Sequence, residues 1–161
     1  MTVNRTSPIA MARRALTGED AHVETSTVFD GLDWTAGGVL APGAPHTLFQ
    51  LLNHMIYWQD WVLAWLDGES PATPDHASDG WPGSHAPSTP ADWTHAVQHF
   101  RDGLRRLEAH TRARSTKRRG RKTPLEMLAT IAAHNSYHAG QVAFLRQMEG
   151  HWPPPSGGLT W

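Results

Sequence analysis

TPLEMLATIAAHNSYHAGQVAFLRQMEG, residues 123–150, is the stretch whose reading decides the fold. Thr123 and Glu126 stand at capping-box spacing, with Pro124 at the first helical position. Met127, Ile131, His134, His138, Gln141, Val142 and Leu145 then recur at intervals of three and four, the period of one helical face. Gly150 and the HWPPP after it forbid continuation. The pattern predicts a helix over 124–149. Its inner face carries two histidines four apart, ~6 Å along the axis and ~40° around it, so both imidazoles lie on one side.

Working outward, the same period predicts a helix over 46–66. Thr47, Leu51, His54, Trp58, Trp61, Val62 and Trp65 form its buried stripe, with Gln50, Asn53 and Asp60 on the other side. A third helix over 90–111 opens with TPAD, Thr89 as N-cap and Pro90 behind it, and buries Trp93, Val97, Phe100, Leu104 and Leu107. A first helix over 8–32 starts at Ser7 and Pro8, although Gly18 interrupts its pattern. WTAGGVLAPGAP, residues 34–45, reads as a loop. Residues 67–89 are rich in proline, glycine and serine and form a long connection, of the kind that often rims a pocket. The expected fold is an all-α four-helix bundle in one domain, 1–161, with a long crossover between its second and third helices and a tail over 151–161.

With 161 residues the chain has enough length for one sizeable core, and its formal net charge of −1 gives no global reason to expect nucleic acid or membrane. It contains no cysteine. That excludes disulfides, thiolate metal ligands and a cysteine nucleophile, so any metal must be held by nitrogen and oxygen. No secretory signal and no ~20-residue apolar span can be found, which leads to the expectation of a cytoplasmic protein. Eleven histidines and eight tryptophans stand out, the former as metal ligands, the latter as large buried area and pocket walls.

A single histidine among apolar residues is more often a hydrogen-bonded core residue than a ligand. The combination changes that reading. His54 points inward from one helix and His134 and His138 from another, which would bury three imidazoles with no carboxylate to neutralise them. One divalent ion takes one nitrogen from each and leaves the other to donate outward. Three histidines with an open position is also the ligand set of a catalytic zinc site. HNSYH is not HExxH, so the metalloprotease motif with its glutamate base is missing.

APHTLFQLLNHM (44–55), Trp81 and Pro82 of the long loop, HNSYHAGQ (134–141) and the tail WPPPSGGLTW (152–161) together resemble the DinB/YfiT-like family of metalloenzymes, bacterial four-helix bundles unrelated to the DNA polymerase of similar name. The resemblance implies an up-down-down-up bundle and one divalent ion, zinc or nickel, on His54, His134 and His138. It also implies homodimers, and reactions that use small thiols such as bacillithiol or mycothiol. The expected function is metal-dependent S-transfer with a low-molecular-weight thiol as cosubstrate. Alternatives are a metal-dependent hydrolase using activated water, and a non-enzymatic metal-binding or nucleic-acid-binding stress protein. The tryptophan excess points the same way as the family habit, toward self-association.

Gln141, one turn past His138, is a candidate to orient substrate, with a supporting or packing role beside it. His22, expected on the first helix, is a candidate proton shuttle because imidazole titrates near neutral pH. Trp58, Trp61 and Trp65 read as core first and pocket wall second. Seven of the fourteen basic residues fall in RARSTKRRGRK (112–122): Arg112, Arg114, Lys117, Arg118, Arg119, Arg121 and Lys122. Without interleaved aromatics this run gives phosphate attraction but no base readout, and reads as a solvated loop.

Overall fold

The computed structural model describes residues 7–112 and 118–158, so Arg114 and Lys117 of the basic run and the last three residues of the tail lie outside it. The Ser7 hydroxyl accepts from the Ala10 N–H at 3.1 Å and opens α1, Pro8–Thr17. That helix stops far short of residue 32. Gly18 adopts a left-handed φ of 79° and its N–H returns to the Arg14 carbonyl at 2.9 Å, which closes the C-terminus. The chain then turns through a 3₁₀ segment, Thr25–Thr27, so His22 is not on a helix.

Residues 34–45 are not wholly loop. Asp33 accepts from the N–H groups of Thr35 and Ala36 and caps a one-turn helix, α2, Trp34–Gly37. The next helix, α3, Leu48–Asp67, begins two residues later than expected because Thr47 is its cap and Gln50 completes a capping box. Gln50 is therefore buried rather than on the outer side. The helices α4, Pro90–His110, and α5, Pro124–Met148, follow their predicted bounds to within a residue, each opened by a threonine capping box.

Packing pairs α3 with α4 and α5, while α1 lies against α5 and α4, so four helices enclose one interior. The fold is all-α, and among the described residues the only extended pairing is the bridge between Arg119 and Lys122. The core has two clusters. One gathers Leu48, Leu52, Met55, Phe100 and Val142, the other Leu63, Leu107, Leu128 and Ile131. Along α5 the two histidines fall between the residues of one cluster and those of the other.

The described part of the tail, residues 151–158, folds back over the bundle. Arg146, 1 % exposed, donates to the Val28 carbonyl at 2.7 Å and to the His151 carbonyl at 3.0 and 2.8 Å. Trp152 packs on the first core cluster and Pro154 is buried. No described helix is long and apolar enough to cross a membrane.

Candidate metal centre

His54 lies in the middle of α3, where its stripe of apolar neighbours carries it into the interior. Its Nδ1 donates to the Gly80 carbonyl at 2.7 Å. That bond puts the ring's proton on Nδ1 and leaves Nε2 as a lone pair. His138 is set in the same way: its Nδ1 donates to the Gln141 side-chain oxygen at 2.6 Å, again freeing Nε2. His134 brings its Nε2 to 3.2 Å from the His54 Nε2, and its own Nδ1 is buried with no hydrogen-bond partner among the described residues.

One nitrogen from each ring lies within 4.8 Å of the other two, so the three-histidine group can hold a metal ion. The fit is tested by the shortest separation. Two nitrogens bound tetrahedrally at ~2.0–2.1 Å stand ~3.3 Å apart, and His54 and His134 already stand at 3.2 Å. Electrostatics agree. Burial lowers His54 and His134 to about 4, aided in both by the neighbouring His138, and against the pull of the Gly80 carbonyl at His54. Burial lowers His138 too, opposed by its bond to Gln141. At neutral pH the rings are uncharged, the form that binds a metal.

The long connection supplies the wall that the helices lack. Residues Ala77–Gly80 form a 3₁₀ turn that delivers the Gly80 carbonyl, and the next residue, Trp81, stacks on His54 at 3.8 Å and 7°. His46 stacks on the same indole at 3.7 Å and 13°, so the indole lies between two imidazoles. Neither Gly80 nor His46 was expected at the site. A carbonyl leaves no mark in a sequence, and His46 reads as the polar lead-in to a helix.

The remaining candidates separate. Gln141 is at the site, with its oxygen committed to His138. His22 is not brought to it: Nδ1 donates to the Val23 carbonyl at 2.7 Å and Nε2 meets the Ser136 hydroxyl at 3.0 Å. Ser136 is two residues past His134, ~200° around the helix, so His22 sits behind α5. Trp58, Trp61 and Trp65 are only half-buried and line a cavity that reaches His134, which makes them wall before core. Arg119 is no solvated loop residue, since its guanidinium donates to backbone carbonyls at the end of α3.

A profile of the DinB superfamily matches residues 12–142, a span that contains all three histidines and Gln141. The chain belongs to the DinB superfamily. No curated protein and no solved structure matches it. In this DinB chain the match ends before Arg146 and the tail.

Proposed function

We propose that the protein is a metal-dependent transferase that activates a small thiol, with metal-assisted hydrolysis as the second reading. The observation that carries this is the convergence of three uncharged imidazoles, two of them with their tautomer set by an outward hydrogen bond. A divalent ion on three neutral ligands keeps its full charge and acidifies a thiol or water brought to it. The residues do the rest. Gly80 and Gln141 hold His54 and His138 in the ligand tautomer, and Trp81 covers the His54 ring against solvent. With no cysteine in the chain, the sulfur would come from a bound cosubstrate. Nitrogen-only ligation suits zinc and nickel alike.

Elemental analysis of untagged protein tests the first half. One equivalent of zinc or nickel is expected, and its loss in His54→Ala and in His134→Ala/His138→Ala. Retained stoichiometric metal in either variant sinks the assignment. Turnover of monochlorobimane with bacillithiol, mycothiol or glutathione, abolished in His138→Ala, supports the transferase. Turnover of an ester with no thiol present supports the hydrolase. If metal-loaded protein does neither, the ion is structural.

We also propose that two copies pair, though not through tryptophans as the sequence suggested. Tyr137, Phe144 and Met148, spaced along one face of α5, are 68 %, 62 % and 47 % exposed, whereas Trp34 is the one tryptophan among the exposed large apolar residues described.

A further inference from the structure

The basic segment is the sequence motif that the three-histidine site leaves unexplained. In the fold it is a tight turn: Arg119 and Lys122 exchange backbone bonds of 2.9 and 3.3 Å, and Gly120 supplies a φ of 61° between them. Arg119 reaches back to the end of α3. Its guanidinium donates to the carbonyls of Trp65, Gly68 and Glu69 and lies 5.1 Å over the Trp65 ring. Carbonyls at a helix C-terminus lack partners within the helix, so this one side chain both caps α3 and pins the turn to it.

Pinning the turn sets two other cations at a cavity. The space, about 480 Å³, has Trp58, Trp61 and Trp65 along its wall, Arg121 and Lys122 among its lining residues, and extends to His134. No acidic side chain is among the described residues that line it. Arg121 makes no hydrogen bond or ion pair with a described residue, whereas the Lys122 ammonium meets the Thr130 hydroxyl at 3.2 Å and helps the Thr123 cap to hold the Glu126 carboxyl below its usual pKa. Two exposed cations beside an aromatic wall, with no carboxylate among the described residues that line the cavity, select for an anion on a flat apolar body. The volume is that of a small-molecule site.

We propose that this cavity binds a small organic anion, its flat apolar body on the tryptophans and its charged group at Arg121 and Lys122. The far end of such a molecule would approach His134. The inference thus names the substrate class for the metal-dependent reading above, and rests on that reading only for the chemistry.

The probe is 2-naphthoate against its neutral counterpart 2-naphthamide, measured by equilibrium dialysis on zinc-loaded and on chelator-stripped protein. The acid is expected to bind at least tenfold more tightly than the amide in both forms. Arg121→Gln/Lys122→Gln is expected to erase that preference while amide affinity and zinc content stay unchanged. Both residues are exposed, so the double variant leaves the core intact. Equal affinity for acid and amide overturns the proposal, as does a preference that survives the double variant. A preference seen only with zinc bound overturns it too, because the ion rather than the rim then holds the anion. Acetate competing as well as naphthoate removes the aromatic half. A ten-residue oligothymidylate that binds more tightly than naphthoate overturns it in favour of nucleic acid. If no zinc binds and the acid preference persists, the metal reading fails and this one stands.

Discussion

At the scale of single residues, hydrogen bonds to the outer nitrogens decide what the histidines can do. His138 Nδ1 depends on the Gln141 oxygen, so Gln141→Leu removes the bond that selects the ligand tautomer. Metal affinity is expected to fall roughly 10–100-fold, read by competition with a chromophoric chelator. Unchanged affinity would mean that packing alone orients the ring. Glu149 poses the opposite case. Both of its carboxylate oxygens are shielded from water without a hydrogen-bond partner among the described residues, at the negative end of α5, and burial raises its pKa above the usual value, opposed by His151. A carboxyl raised in the folded state binds protons there more readily than in the unfolded chain. Its contribution is therefore favourable below pH 4.5 and is lost as pH rises through the folded value. Glu149→Gln is expected to raise stability at pH 7 by about 1 kcal/mol, with the gain shrinking toward pH 4, as measured by urea unfolding across that range. A gain independent of pH would locate the effect elsewhere.

At the scale of elements, glycines show how closely the pieces approach. A Cβ on Gly37 of α2 would lie 2.4 and 2.6 Å from two carbons of the Trp93 ring on α4. That ring cannot retreat easily, because its Nε1 donates to the Leu32 carbonyl at 3.1 Å and its face meets the edge of Phe29 or the reverse at 6.2 Å. Gly37→Ala is expected to cost about 1–3 kcal/mol through overpacking. On α5 the same substitution at Gly140 meets nothing within 4 Å among the described residues. There alanine is expected to stabilise by up to about 1 kcal/mol through helix propensity. Thermal and urea unfolding of the two variants should move in opposite directions. If both move down, Gly140 has a contact that the fold does not show. The contrast also explains why α2 escaped the sequence reading. A one-turn helix has no periodicity to detect, and it exists because a glycine lets it press against an indole.

At the scale of the whole molecule, the exposed line of Tyr137, Phe144 and Met148 sits on α5, the helix that also carries two of the metal-site histidines. Pairing of two copies along it would bury these side chains at roughly 25 cal/mol per Å² of apolar surface. Sedimentation equilibrium at tens of micromolar is expected to give a dimer, and Tyr137→Glu/Phe144→Glu a monomer that still binds one metal per chain. A wild-type monomer at that concentration overturns the pairing. A dimer untouched by the double variant moves the interface to another face.

The sequence by itself determined the helices that carry the chemistry and the three histidines on them, because helical period and capping are local properties written in residues three and four apart. It reached the tri-histidine group by asking what could satisfy the nitrogens of three inward rings, which needs only the knowledge that two stripes face each other. It erred where a local signal was weak or was outvoted. Gly18 ended a helix that composition alone would have extended, and Gln50 turned inward because its oxygen was needed at the Thr47 cap. What only the tertiary structure decided is what joins positions distant in the chain: the Gly80 carbonyl on His54, the indole of Trp81 between two imidazoles, and Arg119 on the carbonyls at the end of α3. A backbone carbonyl is the same in every residue, so no sequence pattern announces which one a side chain will find.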